Sequence, residues 1–163
     1  AFLNAYLTAM AQVIHKERGS IDKYIGDAIM ALWGNVIPMP PEEAARRAVR
    51  AGLAMHARLD VERPGWEARG FPRLDIGVGI NTGQAVVGNI GSPEKLEFGV
   101  IGDAVNVASR LEGMTKEYGG LLVSGRTREL LGEAFTCTYM ATVKVKGREQ
   151  PVDIFRVDGE VSG

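Results

Sequence analysis

The sequence predicts an α+β fold: a mainly antiparallel sheet with helices on one face. Three observations lead there. Apolar residues recur at helical spacing in some segments and alternate with a two-residue period in others. The elements run helix, two strands, helix, two strands, helix, strand, helix, two strands. The first strand pair is joined by a turn too short for anything but an antiparallel hairpin.

The chain has 163 residues, enough for one domain with a sizeable core, and residues 1–163 are expected to form a single domain. Hydrophobic residues make up 45% and charged residues 24%, a globular balance. With 19 basic and 20 acidic residues the net charge is -1, which argues against a general nucleic-acid or membrane-surface binder. Cys137 is the one cysteine, so no internal disulfide can form, as suits a reducing compartment. No apolar run is long enough to span a bilayer, and the start does not read as a signal peptide. The chain opens on Ala1-Phe2-Leu3 without an initiator Met and is expected to be an excised domain.

Phe2, Leu3, Tyr6, Leu7, Met10, Val13 and Ile14 predict a helix over 2–18, ended by Gly19. Ile21–Ile25 and Ala28–Trp33 read as strands around a Gly26-Asp27 turn. Pro41, Glu42 and Glu43 open a second helix, with Ala45, Val49, Leu53 and Ala57 as its apolar stripe. Pro64, Gly65, Gly70 and Pro72 are expected in the loop that follows. Leu74, Ile76, Val78 and Ile80 alternate with Asp75, Gly77, Gly79 and Asn81, predicting a strand whose bare face admits a ligand or a helix. Thr82-Gly83 then turns into a partner strand, Gln84 to Ile90, and 91–99 form a polar excursion. Residues 103–117 read as helix, 121–123 as strand and 125–132 as a short helix. The last two strands carry Tyr139 to Val145 and Val152 to Val157.

Three clusters carry candidate chemistry. Asp27 sits in a turn between two apolar strands, at the end of a sheet. Asp is an ordinary turn former, but a hard carboxylate there also suits magnesium, which takes one or two carboxylates plus substrate phosphates. Lys23 is expected on the strand face opposite Asp22. In the second cluster Asn106 and Arg110 are one helical turn apart and share a polar face, while Ala104, Val107, Ala108, Leu111 and Met114 face the core. An Arg fork binds phosphate with several donors, and an Asn amide can hold a ring oxygen or hydroxyl. The third is Lys144-Val145-Lys146-Gly147-Arg148, where Lys144 and Lys146 are expected to share a strand face as a phosphate-holding tip or a solubilising edge. The glycines from Gly77 to Gly91 do not open a helix with dinucleotide-fingerprint spacing. His15 and His56 have no partner motif and read as structural.

Taken together, the segments Ile21–Gly34, Gly77–Gly83, Val100–Glu112 and Val145–Gly147 resemble the class III nucleotidyl cyclase catalytic domain, the adenylate and guanylate cyclases. The resemblance runs from residue 1 to about 157. It implies a ferredoxin-like core and a head-to-tail homodimer with active sites at the interface. It implies a metal carboxylate at Asp27, a purine-reading lysine at Lys23, a ribose-orienting Asn106, a transition-state Arg110 and a polyphosphate-binding Lys146. In such dimers Asp27 comes from one chain and the other four from its partner.

The implied reaction converts ATP to 3′,5′-cyclic AMP and pyrophosphate, with two Mg2+ or Mn2+ ions per site. The family's other metal aspartate lies on a strand before the helix that begins here at residue 2. Lys23 favours adenine, because guanylate cyclases usually carry an acid there; Gly99, at the second base-reading position, offers no side chain. The alternatives are a guanylate cyclase and a non-catalytic dimerisation or nucleotide-binding module. A polymerase-like palm or diguanylate cyclase ranks last, because it leaves the Asn106–Arg110 helix unexplained. The domain is expected to be cytoplasmic, without direct membrane or nucleic-acid contact, in a parent that is soluble or membrane-anchored.

Overall fold

The computed structural model of the chain describes residues 2–83, 86–90 and 97–162. They group into two compact units, Ala1–Gly77 and Val78–Gly163. The architecture is α+β with mostly antiparallel strand pairs.

The first unit begins with helix α1, Phe2–Lys16, which buries Tyr6, Ala9, Met10, Val13 and Ile14. Arg18 turns left-handed (φ 68°), and the Gly19 amide closes back on the Ile14 carbonyl at 3.0 Å. A Cβ on Gly19 would lie 2.6 Å from the Trp33 ring, so glycine is needed where the chain leaves the helix. Strands β1 (Ser20–Ile25) and β2 (Ala28–Leu32) form the expected hairpin, with Ile25 paired to Ala28.

Helix α2 spans Pro41–Ala68 and runs through Pro64 and Gly65, where the sequence predicts a loop. Burial overrides local propensity here. Leu59 and Trp66 are buried, and Phe2 meets Trp66 edge-on at 5.3 Å while stacking on Phe71 at 4.8 Å. The buried stripe also differs: Ala45, Ala48, Val49, Ala51 and Gly52 are inside, Leu53 is half-buried and Ala57 is exposed. Each step of four advances about 40° around a helix, so a strict run of fours drifts off the buried face.

In the second unit, strand β3 is only Val78–Ile80, and residues 71–77 are irregular. Strand β4 (Val86–Ile90) pairs with β5 (Glu97–Ile101), so the expected β3–β4 hairpin does not form and part of the polar excursion is a strand. Its remainder, 91–96, and Gln84 lie outside the described residues. Helix α3 (Asp103–Gly113) and the single turn α4 (Thr115–Tyr118) divide the expected long helix at Met114. Gly113 is a weak helix former, and Thr115 Oγ1 bonds the Glu112 carbonyl at 2.7 Å.

Strand β6 (Leu121–Ser124) is wholly buried, as befits a central strand. Helix α5 (Gly125–Leu131), strand β7 (Phe135–Val143) and strand β8 (Val152–Glu160) complete the unit. The sheet order is β3-β6-β8-β7, with β3 parallel to β6 and the other pairs antiparallel. The bare face of β3 admits a helix: a Cβ on Gly79 would lie 2.5 Å from the Ala108 carbonyl oxygen and 2.4 Å from the Glu112 nitrogen. Val107, Leu111, Met114, Leu122, Val145, Val152 and Ile154 form the core behind α3.

Candidate active site

The α3 site is assembled from the core outward. Val107 and Leu111 are buried against the sheet, which fixes the helix's rotation and leaves Asn106, Ser109 and Arg110 exposed. A polar network locks the N-terminal half of α3: Asn81 Nδ2 donates to the Ala104 carbonyl at 3.0 Å, and Ser124 Oγ donates to Asn81 Oδ1 at 2.6 Å. Thr127, fully buried, bonds Thr82 at 2.8 Å. These hydroxyls and the Asn81 amide are positioning residues that the spacing of Gly77–Gly83 does not reveal.

The basic segment reaches the same helix. Lys144 and Lys146 lie beyond β7, in the loop to β8, and not on a strand as alternation suggests. Val145 breaks the period by burying itself in the α3 core cluster. It pins the loop and leaves its flanking lysines at the rim. Gly147 turns left-handed (φ 84°), and the Arg148 amide bonds the Val145 carbonyl at 3.0 Å.

The result is a recess of about 620 Å³ lined by Asn106, Ser109, Arg110, Gly113, Lys144, Val145 and Lys146. Asn106, Arg110 and Lys146, which the family resemblance assigns to one site, line this one recess. Ser109 and Lys144 join them. Three cations and no carboxylate line the recess. Among the described residues, Arg110, Lys144 and Lys146 make no ion pair, so their donors are uncommitted. Such a surface accepts a multiply charged anion.

The hairpin of the first unit carries the other candidates. Gly26 takes φ 62° in the turn, and Asp27 beside it is exposed. Asp27 has no hydrogen bond or ion pair among the described residues. No group of three His, Cys, Asp or Glu side chains that could hold an ion occurs among them either. A lone carboxylate is not a protein-built cage for a divalent ion, which needs further oxygen ligands.

Lys23 departs from the expected geometry. The register slips between Ile21 and Lys23, making Asp22 the extra residue of a β-bulge. The two side chains are not split across the strand: Lys23 Nζ stands 3.6 Å from Asp22 Oδ2. Gly99 pairs with Gly88 in the β4–β5 ladder.

Residues 1–158 match the family described as the adenylate and guanylate cyclase catalytic domain. The chain belongs to that family.

Its relatives extend the cyclase assignment. Adenylate cyclase of Anabaena cylindrica is 41% identical over 96% of this chain, and adenylate cyclase 1 of Rhizobium meliloti 37% over 99%. The chain spans 31% and 24% of those proteins' lengths. Among solved structures, the adenylyl cyclase CyaB of P. aeruginosa superposes with a TM-score of 0.87 at 36% identity, covering 99% of this chain and 81% of that one. The guanylyl cyclase Cya2 does so with 0.87 at 37%, covering 98% and 80%. No helix among the described residues is long and apolar enough to cross a membrane.

Proposed function

We propose that this cyclase domain is the catalytic unit of an adenylate cyclase, converting ATP to 3′,5′-cyclic AMP and pyrophosphate. The observation that carries the reading is the carboxylate-free recess where Asn106, Arg110 and Lys146 meet. The ribose 3′-hydroxyl oxygen bonds to the α-phosphorus, the bond to the β-phosphate bridging oxygen breaks, and pyrophosphate leaves. The hydroxyl proton passes to solvent. Arg110 meets the charge that builds on the α-phosphate, Asn106 orients the ribose, and Lys146 holds the polyphosphate.

Asp27 would hold one of two Mg2+ or Mn2+ ions per site. When bound, these lower the hydroxyl's pKa and neutralise phosphate oxygens. The working unit is a homodimer in which Asp27 of one protomer serves a site completed by Lys23, Asn106, Arg110 and Lys146 of the other. Tyr24 and Ile25, 48% and 57% exposed on the hairpin, give it apolar surface suited to a second copy.

Lys23 offers donors only, which suits the acceptor nitrogen at position 1 of adenine and not the N–H that guanine has there. Gly99 supports the second reading, GTP, because it adds no contact that rejects guanine. The test is turnover of the full-length protein with ATP and GTP in parallel, with magnesium or manganese. Metal-dependent cyclic AMP, lost in Asp27→Asn with folding intact, supports the proposal. Cyclic GMP alone selects the second reading, and no cyclic nucleotide with either metal rejects both.

A further inference from the structure

The Asp22 side chain is fully buried, yet neither of its oxygens has a hydrogen-bond partner among the described residues. A buried carboxylate without hydrogen bonds is unfavourable unless a cation compensates it. Lys23 is that cation, with Nζ at 3.6 Å and its side chain 44% exposed. The bulge brings the two together, since regular alternation would send consecutive side chains to opposite faces. Both line one recess of about 500 Å³ with His15, Tyr24, Val36 and Ile37.

We propose that Asp22 is a positioning residue that fixes the Lys23 ammonium for base recognition. The inference rests on the reading of Lys23 given under Proposed function. An ammonium has three donors. Drawing it toward Asp22 limits the rotamers of a flexible stem, so less entropy is lost when a base nitrogen arrives. Asp22 itself, buried below the lysine, touches no substrate. The bulge thus converts an exposed strand lysine into an oriented one, and base choice depends on a residue that never meets the base.

The experiment uses the full-length protein and Asp22→Asn, which keeps the side chain's shape and removes its charge. The KM for ATP rises about tenfold and the ATP-over-GTP preference narrows by a similar factor, while kcat for ATP stays within about threefold. In a Lys23→Ala background, Asp22→Asn adds no further change in preference, because the residue it positions is gone. Equal losses of kcat for both nucleotides with unchanged KM, or additive effects in the double variant, would overturn the proposal. An activity-free arm observes the Lys23 ammonium by 15N NMR, assigned by its loss in Lys23→Arg. The signal is protected from solvent exchange in the wild type and lost in Asp22→Asn; equal protection in both overturns the pairing. If the wild type cyclises neither nucleotide, the adenylate cyclase reading fails, and the ammonium signal still decides whether Asp22 holds Lys23.

Discussion

Arg148 Nη1 donates to Asp103 Oδ2 at 2.8 Å, tying the loop between β7 and β8 to the first turn of α3. The side chains are 38% and 50% exposed, so the pair adds only ~0–1 kcal/mol to stability. Its effect is on the site. It neutralises a carboxylate of α3 and ties the loop that carries Lys146 to the helix that carries Arg110. Arg148→Ala should shift the melting temperature by no more than about 4 °C and raise the KM for the nucleoside triphosphate about three- to tenfold, with kcat less affected. Steady-state kinetics at low and high salt check this, and the effect should shrink as salt screens the exposed charge.

Arg110 and Lys146 should separate kinetically. Arg110→Ala should lower kcat by about 10²–10³-fold, the scale of removing one donor from developing transition-state charge. Lys146→Ala should act mainly on KM, because polyphosphate contacts persist from ground state to transition state. Both side chains are exposed, so thermal unfolding should be nearly unchanged. Equal kcat losses in the two variants would assign the transition-state role wrongly.

Gly79→Ala tests the packing beneath the site. The added methyl would meet the backbone of α3 at 2.4 and 2.5 Å, where nothing can swing aside. A loss of about 1–3 kcal/mol in denaturant unfolding is expected. Reduced cyclase activity should accompany it, because displacing α3 moves Asn106 and Arg110 together. An unchanged midpoint would mean that the helix is not held as closely as the structure has it.

Cys137 gives a pH prediction. Partial burial raises its pKa above the ordinary value, with Arg128 opposing and Asp158 adding. A raised pKa means that the folded state favours the protonated thiol. Its contribution to stability is therefore complete below the ordinary thiol range and is lost as pH rises through it. Iodoacetamide should alkylate the native protein more slowly than the unfolded chain at pH 8, with the gap closing at higher pH. Equal rates at pH 8 would refute it.

How much was legible beforehand depends on how local each determinant is. The hairpin from β1 to β2 follows from two apolar runs around Gly26-Asp27, and the exposed pair Asn106 and Arg110 follows from their four-residue spacing. Helix α2 beyond Pro64 was not legible, because Trp66 and Leu59 hold it in place through partners distant in sequence. Nor was the pairing of β4 with β5, since turn chemistry at Thr82-Gly83 does not say which strand the chain will join.

The sequence by itself determined the cyclase family, the α+β class and the chemical types at Asp27, Lys23, Asn106, Arg110 and Lys146. Residue type and spacing are one-dimensional and survive in any reading of the chain. Tertiary structure decided which side chains share a surface. Burial of Val145 turned a would-be strand face into the rim of the α3 recess. A single extra residue in β1 put Asp22 beside Lys23. Both outcomes depend on packing between distant segments and on strand register, and neither is encoded in the period of the segment that displays it.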